Sequence, residues 1–167
     1  MIQVYTGTGK GKTTAALGLC LRAAGAGMRI YVCQFIKGRA YSELSSLKKF
    51  RNIKVEQFGR GCFIRKSPGK TDITLAEKGL EKINKIINDN EFDLIVLDEA
   101  NVALDLGLLK TKRIVDILKA APKKTEIVLT GRNAPKEIIR LADLVSYIKE
   151  VKHYYRRGVK CRRGIEF

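Results

Sequence analysis

The stretch Gly7-Thr8-Gly9-Lys10-Gly11-Lys12-Thr13-Thr14 constrains this chain more than any other. It stands directly behind Ile2-Gln3-Val4-Tyr5 and ahead of Ala15-Ala16-Leu17-Gly18-Leu19. A short β-like run, a glycine-rich turn and a helix-forming run read as strand, loop and helix. Glycine has no Cβ, so consecutive backbone N–H groups can turn inward and form a concave nest for phosphate oxygens. A helix beginning near Lys12 directs its positive end at the same point. Lys12 supplies a point charge, and the Thr13 hydroxyl suits a Mg²⁺ ligand. The general pattern G-x-x-x-x-G-K-[ST] needs its first glycine at position 6, which is Thr6. Counted from Gly7 the loop is one residue shorter, and it carries an extra lysine, Lys10.

The rest of the chain alternates between β and α patterns. Ala15 to Ala24 reads as a helix ended by Gly25-Ala26-Gly27, and Ile30 to Phe35 as a buried strand. A short helix pattern runs through Leu44, Leu47 and Phe50. Ile53 to Phe58 alternates with period two, and Gly59 to Gly69 is the longest irregular stretch. Asp72 is expected to cap a long helix whose Ile73, Ala76, Leu80, Ile83 and Ile87 share one face. Asp93-Leu94-Ile95-Val96-Leu97-Asp98-Glu99 is an apolar strand ending in two carboxylates, which in a parallel sheet lies beside the phosphate loop. A carboxylate there can hold Mg²⁺ directly or through water. Thr111 to Ala120 predicts a helix, and Glu126 to Thr130 another buried strand. Asn133 is expected to cap a helix through Ile138 and Leu141. Leu144 to Ile148 reads as a last strand, and Lys152 to Phe167 as an extended basic tail. The sum is an α/β chain with a three-layer, mostly parallel, doubly wound sheet of the P-loop NTPase (RecA-like) type.

At 167 residues the chain suits one domain, 1–167, with a real core. Its longest apolar runs fall well short of the ~20 residues of a membrane span. It opens inside a strand, leaving no room for a signal peptide, so a cytoplasmic location is expected. Lys and Arg number 33 against 17 Asp and Glu, a net +16, which favours anionic partners. Cys20, Cys33, Cys62 and Cys161 form no C-x-x-C pair, and His153 is the only histidine. A disulfide framework or a histidine metal cluster is therefore not expected.

A phosphate loop alone does not choose a chemistry. Tyr5 to Ala16, then Arg22-Ala23, Gly25 and Gln34-Phe35-Ile36-Lys37-Gly38, resembles the ATP:corrinoid adenosyltransferases that make adenosylcobalamin. Val96-Leu97-Asp98-Glu99, Thr130-Gly131-Arg132, Ala142-Asp143, Val151-Lys152-His153 and the ending Gly164-Ile165-Glu166-Phe167 continue the resemblance in the same order. It implies transfer of the 5′-deoxyadenosyl group of ATP to the Co(I) of a reduced corrinoid, with triphosphate leaving. The substrates implied are ATP and the corrinoid, with Mg²⁺ or Mn²⁺ as cofactor.

By that resemblance, Gly7, Thr8, Gly9, Lys10, Gly11, Lys12 and Thr13 hold the triphosphate, with Thr14 beside it and Arg22 near the nucleoside. Lys12 and Glu99 are the expected catalytic residues, and Thr13, Glu99 and Asp98 the metal site. Arg132 is assigned to the triphosphate or the corrinoid. In some members an aromatic pair helps strip the lower ligand from cobalt; here that region reads Gly61-Cys62-Phe63-Ile64, so Cys62 and Phe63 are the corrinoid candidates. Thr8 stands where an asparagine is common. Because the sequence opens at the first strand, the N-terminal extension that some members fold over the corrinoid is not expected here. His153 is expected to be structural rather than catalytic. The family also implies a homodimer, and a flavoprotein reductant is an expected partner. Two other readings fit part of the pattern. A deoxynucleoside kinase of the thymidine kinase type also follows its sheet with Asp-Glu-Ala, but usually carries paired zinc cysteines. A basic ATP-dependent nucleic-acid-binding module suits the charge, yet no aromatic-basic platform appears outside Tyr154-Tyr155-Arg156-Arg157. No nucleic-acid partner is expected.

Overall fold

The computed structural model describes residues 1–61, 64 and 67–167. Their strands are β1 (Ile2–Thr6), β2 (Ile30–Lys37), β3 (Ile53–Gly61), β4 (Leu94–Asp98), β5 (Glu126–Thr130) and β6 (Leu144–Tyr147). They form one sheet in the order β3-β2-β4-β5-β1-β6. Every neighbouring pair is parallel. The helices are α1 (Lys12–Gly25), α2 (Ser42–Leu47), α3 (Lys70–Asp89), α4 (Ala100–Asp105), α5 (Thr111–Ala120) and α6 (Lys136–Leu141).

Two apolar layers follow from strand alternation. Tyr31, Cys33, Phe35, Ile95, Leu97, Ile127 and Leu129 face one side and pack against α3, α4, α5 and α6. Ile30, Val32, Leu94, Val96 and Val128 face the other and pack against Ala16, Cys20 and Ala23 of α1, with Leu47 of α2. The central strands are buried on both faces, as their near-continuous apolar sequences require. Cys20 and Cys33 lie in these layers, and burial pushes the Cys20 thiol up to about 12. They pack as small hydrophobes. The strands converge on their carboxyl ends, so the loops after β1, β2, β4 and β5 meet at one rim.

Several boundaries differ from the sequence expectation. The long helix starts at Lys70, with Gly69 as its N-cap. Asp72 sits three residues on, where its Oδ2 accepts from Gly69 N at 2.9 Å and its carboxylate takes Arg60 at 2.8 and 2.7 Å. Asn133 does not cap α6; Pro135 holds that place, and Asn133 Nδ2 donates to Asp105 Oδ2 at 2.8 Å. Helix α4 was not expected, and β3 runs on to Gly61. Strand β6 is present but ends at Tyr147, one residue earlier, and all four of its residues are exposed at the sheet edge. The tail is not extended. It makes a 3₁₀ turn over Tyr154–Arg157 and folds back on the phosphate loop. Among the described residues, no helix is long and apolar enough to cross a membrane.

Candidate active site

The loop after β1 is shaped by its glycines. Gly7 has φ +105° and Gly11 φ +115°, a region that L side chains rarely enter. A second constraint was invisible in sequence. A Cβ on Gly7 would stand 2.4 Å from Ile148 O, and one on Gly9 would stand 2.9 Å from Lys149 O. Gly9 N donates to Ile148 O at 2.8 Å, and Ile148 N to Thr6 O at 2.8 Å. The segment after β6 therefore braces the loop from behind. Gly11 leads into α1, whose first residue is Lys12.

Lys12 Nζ donates to Gly7 O at 2.8 Å and Gly9 O at 2.6 Å, within its own loop. Burial and then the nearby Arg132 lower its pKa, with Glu99 opposing. Lys10 turns the other way. Its Nζ donates to Tyr154 Oη, Ile165 O and Glu166 Oε1, each at 3.0 Å. Tyr154 Oη and Arg162 converge on the same Glu166 carboxylate and hold it well below the usual range. Thr8 Oγ1 accepts weakly from Glu150 N at 3.5 Å. Beside Lys10, a cavity of about 350 Å³ is lined by Gly9, Lys149, Lys152, His153 and Tyr154 among others. His153 Nδ1 accepts from Tyr155 N at 3.1 Å.

Asp98, at the end of β4, is fully buried and takes four donors. Thr13 Oγ1 (2.8 Å) and Thr130 Oγ1 (2.7 Å) donate to its Oδ1. Lys37 Nζ (2.8 Å) and Gln34 Nε2 (3.1 Å) donate to its Oδ2. Thr130 Oγ1 in turn accepts from Glu99 N at 3.0 Å. Glu99 has φ +59° and caps α4. Burial raises its carboxyl pKa, the adjacent Asp98 raises it further, and Lys37, Lys12 and Arg132 pull it back. Thr13, Asp98 and Glu99 thus form an all-oxygen group at the mouth of the loop, the donor chemistry a Mg²⁺ ion requires.

Lys37, Gln34 and Thr130 had been given no role. Lys37 was hidden because strand alternation places it on the face of Cys33 and Phe35. The chain breaks that alternation at Ile36, whose φ is +67°. Ile36 joins the large apolar layer instead, and Lys37 turns toward Asp98. A β-branched residue at positive φ costs on the order of 1–3 kcal/mol and persists only where its surroundings enforce it. Gly38 and Gly59 leave room for it: a Cβ on Gly59 would stand 2.0 Å from Ile36 O, and one on Gly38 2.0 Å from Gly59 O. Burial pulls the Lys37 pKa down, but the Asp98 carboxylate outweighs it and the net shift is upward. The available signal was Gln34, a polar residue inside an otherwise apolar buried strand.

Arg132 follows Gly131 (φ +128°) at the end of β5, near enough to influence both Lys12 and Glu99. Thr14 is exposed in the first turn of α1. Arg22 is not gathered with the loop, since ten residues of helix set it about 15 Å further along α1. Cys62 and Phe63 lie outside the described residues. Among the described residues, no group of three His, Cys, Asp or Glu side chains is placed to hold a metal on its own.

An all-parallel sheet with a glycine loop and lysine after its first strand, and a buried carboxylate on the loop threonine, defines a P-loop nucleoside-triphosphate-binding protein. Comparison with known proteins narrows this. The model of the family "ATP:corrinoid adenosyltransferase BtuR/CobO/CobP" matches residues 1–167. The corrinoid adenosyltransferase of a Sinorhizobium species is 38% identical over 171 residues, covering 100% of this chain and 80% of that protein. That of Pseudomonas aeruginosa is 35% identical over 169 residues, covering 100% and 83%. The Salmonella typhimurium protein, corrinoid adenosyltransferase CobA, is 32% identical over 167 residues, covering 100% and 85%. The chain belongs to the ATP:corrinoid adenosyltransferase family, enzymes that transfer the adenosyl group of ATP to a reduced corrinoid. Nothing in the fold or the comparisons favours the kinase or nucleic-acid-binding readings.

Proposed function

We propose that residues 1–167 act as one catalytic unit in which Gly7 to Thr13 hold the triphosphate of ATP and the strand ends beside them stabilise its departure. The observation that carries this assignment is the contact of the Thr13 hydroxyl with buried Asp98 at 2.8 Å, which ties the loop to β4. The corrinoid's Co(I) attacks C5′ of ATP with its own electron pair. The C5′–O bond breaks, its electron pair leaves with the triphosphate, and cobalt ends as Co(III) bound to carbon. No protein base is needed, because the nucleophile carries no proton. The protein's task is to stabilise charge growing on the leaving group. Lys12 serves it from inside the loop, and Arg132 from the end of β5. Thr14 lies beside the phosphates, and Arg22 further along α1 is assigned to the nucleoside by family resemblance.

Thr13 and Glu99 are the direct ligands proposed for Mg²⁺ or Mn²⁺, with Asp98 supporting through Thr13. The ion, when bound, neutralises part of the triphosphate charge. Lys10 reaches the triphosphate only by exchanging partners with Glu166. Cys62 and Phe63 remain the corrinoid candidates by resemblance. A homodimer and a cytoplasmic location are the family expectation. The net charge of +16 suits an acidic flavoprotein reductant. Equal rates of Co(I) delivery at low and high salt would count against that partner.

The test is anaerobic: chemically reduced cobalamin, ATP, Mg²⁺ and protein, following loss of the Co(I) spectrum and formation of the cobalt–carbon product. Product with stoichiometric triphosphate is expected, and both vanish without ATP or with Lys12→Ala. Bound ATP with no product would overturn the proposal.

A further inference from the structure

Asp98 and Lys37 pose a question that the reaction alone does not answer. A carboxylate beside a phosphate loop is ordinarily available to a divalent cation, directly or through water. Here both oxygens are already taken. Oδ1 holds the two threonine hydroxyls, and Oδ2 holds Gln34 and the Lys37 ammonium. The arrangement is built rather than incidental. Asp98 is fully buried, the Lys37 side chain is only 12% exposed, and the inversion at Ile36 is what brings the ammonium to this face. Lys37 Nζ also stands 3.5 Å from Thr13 Oγ1, so its charge borders the place where the loop threonine meets the metal and phosphates. A polar chain continues outward, with Gln57 Nε2 donating to Gln34 Oε1 and to Arg39 O, each at 3.0 Å.

We propose that Lys37 is a positioning residue that acts as a resident cation of the triphosphate centre. Its ammonium occupies Asp98 Oδ2, commits that carboxylate to orienting Thr13, and leaves Glu99 as the one carboxylate free for the divalent ion. This rests on the assignment of Thr13 and Glu99 to the metal. The consequence is a division of labour. The free protein holds a divalent ion weakly, because a fixed positive charge lies beside the site and one carboxylate is withheld. The same charge favours the triphosphate, so metal and nucleotide are taken up together as the complex. Removing the charge while keeping a hydrogen-bond donor should therefore move the two affinities in opposite directions. Simple damage to the fold would weaken both.

The experiment titrates Mn²⁺ alone, by its electron paramagnetic resonance signal, and separately a non-hydrolysable ATP analogue with Mg²⁺, by calorimetry. The proteins are wild type, Lys37→Gln and Lys37→Arg. Expected for Lys37→Gln is Mn²⁺ binding about tenfold tighter and nucleotide binding about tenfold weaker, with Lys37→Arg within a few-fold of wild type on both. Unchanged or weaker Mn²⁺ binding by folded Lys37→Gln overturns the role of Lys37. No Mn²⁺ binding by wild type, with or without nucleotide, overturns the metal assignment beneath it. Should Lys37→Gln not fold, the lysine ammonium signals of ¹⁵N-labelled wild type decide, with Lys37→Arg identifying the resonance. A slowly exchanging Lys37 ammonium that persists when the Mg²⁺–nucleotide complex is added supports the proposal. Its loss on that addition overturns it.

Discussion

Replacing Gly59 by alanine tests how much the inverted backbone at Ile36 depends on its neighbours. The new Cβ would stand 2.0 Å from Ile36 O and 2.1 Å from Ile36 C. Both are backbone atoms, so no side-chain rotation relieves the overlap. Restoring ordinary contact means moving the end of β3 away from β2 by more than an ångström, against the bond from Gly38 N to Gly61 O at 2.7 Å. Overpacking of this kind costs about 1–3 kcal/mol, and a backbone pair pulled apart adds about 1–3 more. A total near 4 kcal/mol corresponds to a fall in Tm of about 8–16 °C for a chain of this length. Because Lys37 is carried on the same turn, turnover should fall by about tenfold or more. Thermal unfolding by circular dichroism, with the Co(I) assay on the same preparation, reads both effects. The control is Gly18→Ala on α1, where a Cβ meets no described atom within 4 Å and a gain of about 0.5–1 kcal/mol is expected. A Gly59→Ala protein that melts within about 2 °C of wild type and turns over normally would refute the reasoning.

Three further outcomes follow from the site. Thr13→Val removes the hydroxyl that donates to Asp98 and should cost about 1–3 kcal/mol by denaturant titration, while Thr13→Ser keeps both stability and activity. The Glu99 carboxyl pKa is raised in the folded state, so its contribution to stability is present below the ordinary value and lost as pH rises through the folded one. Glu99→Gln should therefore melt higher than wild type at pH 8, the gap closing in acid, while activity falls on the order of 10²-fold. Glu166 is the opposite case. Its pKa is depressed, so its contribution holds above the ordinary glutamate value and disappears as pH falls through the lowered one. Limited proteolysis should find the tail protected at neutral pH and open in strong acid, with Glu166→Gln open already at neutral pH; pH-independent cleavage of wild type would count against Glu166 holding the tail to Lys10.

What sequence made legible was whatever local chemistry decides. Helix α1 begins at Lys12 because a glycine loop and an alanine run leave no other start, and α5 (Thr111–Ala120) and β5 (Glu126–Thr130) have the bounds their patterns imply. Asp98 and Glu99 were visible as acids ending an apolar strand. The misses arose where distant groups compete for a side chain. Asp72 does help cap its helix, but from the third position, through Gly69 N and while holding Arg60, and Asn133 is claimed by Asp105 instead. Helix α4 is only six residues long, and Ala100, Ala103 and Leu104 are all buried, so no polar face announces it. Lys37 stayed hidden because an isoleucine gives no sign that it will turn left-handed. Lys10 meets Glu166 across 156 positions, which no local pattern records.

The strand order also decides when the nucleotide site can exist during synthesis. Strand β1 leaves the ribosome first, yet its sheet partners are β5 and β6, which are made last. Strands β2, β3 and β4 pair among themselves and can assemble early. The phosphate loop must wait until Ile148 and Lys149 arrive to brace Gly7 and Gly9. A nascent chain halted before β5 would hold every residue from Gly7 to Glu99 and still lack the segment that braces the phosphate loop. The bracing of the phosphate loop thus joins the first strand made to the last.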